Sequence, residues 1–180
     1  AVAAAAGFDF VEVNVQGHLM PQADDDAFAA NRDAILASPI PIKAANCFVP
    51  GGLKITGPEV DLEALTAYAA TAFERAAAVG IETIVFGSGG ARRIPAGFDR
   101  AAAWDQLVAF GGRIAPLAAA QGVTILVEPL NQSECNVFTA VGESADYVRQ
   151  IDHPNMKLLV DAFHWGRDQD SYGDLVEAGP

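Results

Sequence analysis

Apolar and polar positions along this chain follow two rhythms that succeed one another. Short runs rich in β-branched, aromatic and other apolar residues, bounded by Gly, Pro, Asn or Asp, read as strands over Phe8–Val15, Ile42–Phe48, Ile81–Phe86, Val123–Val127 and Lys157–Val160. Between them lie segments of helical character. Asp24–Ala37 has acids in its first turn and Ser38–Pro39 at its end. Glu59–Val79 is alanine-rich and closed by Gly80. Phe98–Gln121 carries Gly111–Gly112 and Pro116, which are expected to break or kink it, and Val141–Ile151 follows the fourth strand. Asp174–Ala178 reads as a last short helix stopped by Gly179–Pro180, and Ala1–Ala6, ended by Gly7, as the tail of one.

Strand and helix thus alternate through about five units of ordinary βα length, the pattern of a parallel sheet with right-handed crossovers. The loops that leave strands are long (Val49–Pro58, Gly87–Gly97, Asn131–Ala140), whereas the turns that enter strands are short. That asymmetry predicts an α/β fold of the (β/α)8 TIM-barrel type, in which chemistry is carried by βα loops. An open five-stranded sheet is the alternative, although no GxGxxG or P-loop supports a nucleotide fold, and Gly87–Gly90 alone is weak evidence for phosphate binding. With no initiator Met, a helix tail at the start and a helix stop at the end, both termini read as cut from a longer chain. The expectation is one domain over 1–180, an incomplete barrel.

Composition narrows the partners. At 180 residues the chain can bury a sizeable core, and 51% hydrophobic with 19% charged residues excludes a disordered one. A net charge of −12 argues against nucleic acid, which selects a basic face. Only two cysteines, Cys47 and Cys135, in a chain of this size predict reduced thiols and a cytoplasmic setting. No apolar run approaches the length of a membrane span, and AVAAAAGF has no basic n-region.

The chemistry gathers in Val123–Glu134, VTILVEPLNQSE. An apolar strand runs into Glu128, and Pro129, which has no N–H for a ladder, ends it there. Asn131, Gln132 and Glu134 follow. The next strand ends in Asp161, with His164 three residues on. Carboxylates at the C-terminal ends of parallel strands are the pattern of an α/β active site. Each has a plainer reading. Glu128 and Asp161 could pair with a neighbouring Lys or Arg, Glu134 could cap a helix or face solvent, and His164 could be a structural histidine. Cys47, at a strand end, could line a pocket or be a buried thiol. Arg92 and Arg93 could hold an anionic substrate group or be solvated. Glu12 could lie inside the barrel, or pair with Lys43 or Arg93. Phe163 and Trp165 flank His164 at a pocket mouth or in the core.

GFDFVEVNV, ILVEPLNQSE and LLVDAFHWGRD after HPN together resemble the xylose isomerase-like sugar (phosphate) isomerase and epimerase superfamily, whose members include hydroxypyruvate isomerase and ketose 3-epimerases. The resemblance runs along the whole chain, and its specific part is E-P-L-N-x-x-E joined to D-x-F-H. It implies that Glu128 and Asp161 are ligands of a divalent metal of the Mn2+, Mg2+ or Co2+ type, with Glu128 also moving a proton. It implies that Glu134 and His164 touch substrate oxygens. Such an ion polarises a carbonyl and stabilises the enediolate formed when the adjacent C–H loses its proton. The expected partner is a small sugar or hydroxy-keto compound. The chain departs from the family at its ends, because the first strand and the later strands carrying two further ligands are absent. A truncated barrel acting as a structural or sugar-binding piece is therefore the alternative function, and its unpaired edges predict self-association into a homo-oligomer. An endonuclease IV-like role needs a histidine cluster and a basic groove, and three histidines with this charge speak against it.

Overall fold

The computed structural model describes residues 2–179. In chain order the elements are α1 (Val2–Ala5), β1 (Val11–Asn14), a π-helical turn (Val15–Leu19), α2 (Asp25–Leu36), β2 (Ile42–Asn46), α3 (Leu62–Ala78), β3 (Thr83–Phe86), α4 (Gly89–Arg92), α5 (Arg100–Ala120), β4 (Thr124–Val127), α6 (Val141–Ile151), β5 (Met156–Leu158), α7 (Ala162–Arg167) and α8 (Tyr172–Ala178). Aspartates start four of the helices. Asp24, Asp61 and Asp99 accept from the amides of Ala27, Ala64 and Ala102, and Asp161 accepts from Phe163. Each satisfies one of the first-turn N–H groups that have no partner within the helix.

The five strands are all parallel and lie in the order β1-β2-β3-β4-β5. A doubly wound sheet reverses direction at a switch point, which sends helices to both faces. A strictly sequential order with right-handed crossovers keeps the helices on one face, as a (β/α)8 barrel does. The topology therefore decides against the open-sheet alternative, and the chain forms part of a barrel wall.

The two faces of the sheet follow the period of two in the strands. Ala45, Ile84, Phe86, Ile125 and Val127 turn toward the helices and are fully buried. They meet Phe48, Phe73, Phe110 and Leu107 in one continuous core. The residues between them, Glu12, Asn46, Thr83, Val85, Thr124 and Leu126, share the other face, where a barrel has its interior.

The structure departs from the sequence reading at four points. Gly111, Gly112 and Pro116 do not break α5, which runs unbroken over 21 residues. Asp161 does not end β5 but starts a six-residue helix beyond it. The strand itself begins at Met156 and ends at Leu158, earlier than Lys157–Val160. Glu12 is not paired with Lys43 or Arg93. It accepts from Asn46 Nδ2 at 2.6 Å on the interior face, while Lys43 pairs with Glu82. The cysteines are free thiols, and no described helix is long and apolar enough to cross a membrane.

Candidate active site

The register places the C-terminal ends of the strands side by side, with Asn14 against Asn46, Phe86 against Val127, and Val127 against Leu158. Interior-face residues of these strands and just past their ends open into one cleft of about 690 Å3, which Glu12, Asn46, Gly87, Glu128 and Asp161 all line. Cys47, Glu134 and His164 reach the same cleft from the loops.

Glu128 is held by its backbone. Its carbonyl accepts from Arg92 Nη2 at 2.8 Å, and the same guanidinium takes the carbonyls of Phe86 and Phe138 at 2.8 and 3.3 Å. Arg92 is completely buried and faces no carboxylate side chain at hydrogen-bond distance, so it ties the ends of β3 and β4 together through main-chain oxygens. The Glu128 carboxyl is half-buried, and burial is the main cause that raises its pKa. His164 draws it back down, Asp161 raises it, Arg92 lowers it and Glu12 raises it. A carboxylate in that setting is a stronger proton acceptor than one in water.

Asp161 divides its oxygens between two tasks. Oδ1 caps α7 through the Phe163 amide at 2.7 Å, and Oδ2 lies 4.0 Å from His164 Nε2. One turn of helix therefore sets the spacing of acid and imidazole. Glu128, Asp161 and His164 can each offer a ligand atom within 4.8 Å of the others. The carboxylate oxygens of Glu128 and Asp161 suit a hard divalent ion, so the residues present fit the expected metal.

Glu134 and His164 are joined through Asn131, which is fully buried. Asn131 Nδ2 lies 2.7 Å from Glu134 Oε1 and 2.9 Å from His164 Nδ1. The surrounding loop is pinned by the Gln132 amide, which donates to Asp168 Oδ2 at 2.6 Å. Phe163 covers His164 edge-on at 5.2 Å between ring centroids.

The remaining predicted residues divide. Cys47 stands at the cleft in the left-handed region, at φ 51°. The residue is exposed, yet partial burial of the thiol followed by the Glu12 and Glu128 charges raises its pKa, against a hydrogen bond from Asn14. A neutral thiol results. Arg93 lies outside the cleft, because α4 turns the two arginines in opposite directions. Arg92 goes into the core, while Arg93 is exposed and donates to the Glu134 carbonyl at 2.6 Å. Sequence reasoning missed Gly87, the anchoring role of Arg92 and the linking role of Asn131. The asparagine was detectable, since it sits three residues before Glu134 in a loop that Pro129 opens. The other two act through space and leave no local signal.

The profile of the family described as xylose isomerase-like TIM barrel matches residues 1–179. The D-psicose 3-epimerase of Ruminiclostridium cellulolyticum is 33% identical over 78 residues, which are 43% of this chain and 27% of that protein. That of Agrobacterium fabrum is 34% identical over 68 residues, 37% of this chain and 24% of that protein. A D-psicose 3-epimerase solved in the presence of D-fructose superposes with a TM-score of 0.80 at 25% identity, covering 98% of this chain and 62% of that one. The chain spans roughly three fifths of the length of the solved structures it matches.

Proposed function

The chain belongs to the xylose isomerase-like TIM-barrel family, and on that premise we propose that it is the site-bearing part of a divalent-metal-dependent epimerase or isomerase acting on a ketose-like sugar. The observation that carries the reading is the convergence of Glu128, Asp161 and His164 within 4.8 Å at adjacent strand ends, with Glu134 on the same cleft.

Each residue has a task in that reaction. Glu128 takes the proton from the carbon beside the carbonyl, and the C–H electron pair moves into the carbonyl to give an enediolate. If Glu128 returns the proton at the neighbouring carbon the sugar is isomerised; inversion needs a proton from a second acid on the opposite face, while Glu128 keeps the first. Glu134 and His164 hold substrate oxygens, which keeps the C–H bond facing Glu128. Glu128 and Asp161 hold the divalent ion, which when bound polarises the carbonyl. The names of the relatives support a ketohexose as substrate and its third carbon as the reacting centre. The acidic charge and the carboxylate-lined cleft favour a neutral sugar over nucleic acid. A cytoplasmic setting is consistent with the two free cysteines.

Incubating the purified protein with Mn2+ and D-psicose or D-fructose in D2O tests this. Deuterium at the third carbon together with the other epimer is the expected result. With metal bound and no exchange at any carbon, the catalytic reading fails. Sugar binding without exchange would instead select the binding-module alternative.

A further inference from the structure

We infer that Asn131 is a positioning residue that fixes His164 in the Nε2–H tautomer, so that His164 presents a hydrogen-bond donor to the cleft and not a metal-binding lone pair. Two N–H groups converge on His164 Nδ1, the Asn131 side chain at 2.9 Å and the Asn131 backbone amide at 3.3 Å. The backbone amide can only donate. The side-chain amide is oriented by its other contacts. Its Oδ1 accepts from the Ser133 amide at 3.1 Å and from the Ser133 hydroxyl, and its Nδ2 lies 2.7 Å from the Glu134 carboxylate. Turning the amide over would set oxygen against a carboxylate oxygen and NH2 against an N–H. The nitrogen therefore faces His164, and Nδ1 must be bare to receive both donors.

In a neutral imidazole the proton then sits on Nε2, the atom that points toward Asp161 Oδ2. An N–H cannot ligate a cation. The three-residue cluster thus divides by chemistry: Glu128 and Asp161 offer oxygens to an ion, and His164 offers a proton to an oxygen of the bound molecule. The tautomer follows from the hydrogen-bond geometry alone; its meaning for substrate rests on the epimerase reading.

Nitrogen-15 NMR reads the tautomer directly. The full chain is labelled and recorded without metal at about pH 8, above the ordinary histidine range. The three histidines are assigned by His18→Gln, His153→Gln and His164→Gln. The expected His164 pattern is a pyrrole-like Nε2 and a pyridine-like Nδ1, unchanged on adding Mg2+. A pyrrole-like Nδ1, or loss of the Nε2 proton with Mg2+, overturns the inference. Asn131→Asp exchanges a donor for an acceptor at nearly constant shape, so the pattern is expected to shift toward a protonated Nδ1. A variant that folds and keeps the native pattern also overturns it. None of these readouts requires turnover, so they stand apart from the outcome of the sugar assay.

Discussion

Gly87 and Glu128 lie side by side just past the ends of β3 and β4 with no room between them for another atom: a Cβ on Gly87 would stand 2.5 Å from Glu128 Oε2. The glycine is required by the carboxylate and not by its own backbone. Gly87→Ala is expected to fold and to push the Glu128 side chain aside. A displacement on the order of 1 Å at a reacting group costs about 100-fold in turnover. Epimerase assays and metal titration of G87A against the parent check this, and unchanged values in both would show that the carboxylate has another place to go.

Arg92 illustrates the opposite case, a charge buried for structural ends. Removing it leaves the Glu128 carbonyl without a donor and takes one of two donors from the carbonyls of Phe86 and Phe138, which keep the amides of Glu128 and Leu130. Arg92→Met is expected to lower the unfolding free energy by about 1–3 kcal/mol, the scale of one unsatisfied buried polar group. Urea denaturation measures it as a lower midpoint at constant slope.

The metal-free site should carry a pH signature. Burial raises the pKa of Glu128 in the folded chain, so the folded state binds this proton more tightly than the unfolded state does. Its contribution to stability is fully present below about pH 4, the ordinary carboxyl range, and is lost as pH rises through the folded value. Glu128→Gln removes that loss. Without metal, E128Q is expected to melt above the parent at neutral pH, and the difference should vanish in acid. Equal melting temperatures at neutral pH would mean that the site does not penalise the charged form.

A second glycine makes a packing prediction far from the cleft. A Cβ on Gly111 would lie 2.2 Å from Tyr147 Oη and 2.8 Å from Ile151 Cδ1, where α6 packs on α5. Tyr147 is fully buried and donates to the Leu107 carbonyl at 3.1 Å. Gly111→Ala should therefore destabilise the chain by about 1–3 kcal/mol through overpacking, despite the better helix propensity of alanine. A Cβ on Gly112 would meet open space, so Gly112→Ala is expected to be neutral or stabilising. Thermal melts of the two variants separate local propensity from packing.

The βα alternation, and the placement of Glu128 and Asp161 just past two apolar strands with Glu134 and His164 at short spacing after them, were determined by the sequence alone. They rest on local rules: apolar runs of strand length, a proline that halts a ladder, and residue types at short spacing. The tertiary structure decided what depends on distance between segments. Strand order, which separates a barrel wall from a doubly wound sheet, is invisible in the order of elements along the chain. Gly111 and Pro116 look like helix breakers in isolation, but the first makes room for Tyr147 and the second is carried within a helix buried along one side. The adjacent arginines Arg92 and Arg93 have identical chemistry, and only the turn of α4 sends one into the core and the other to the surface. Asn131 is a loop asparagine until folding brings His164 to it from 33 residues away. Side-chain roles set by neighbours in space cannot be read from neighbours in sequence.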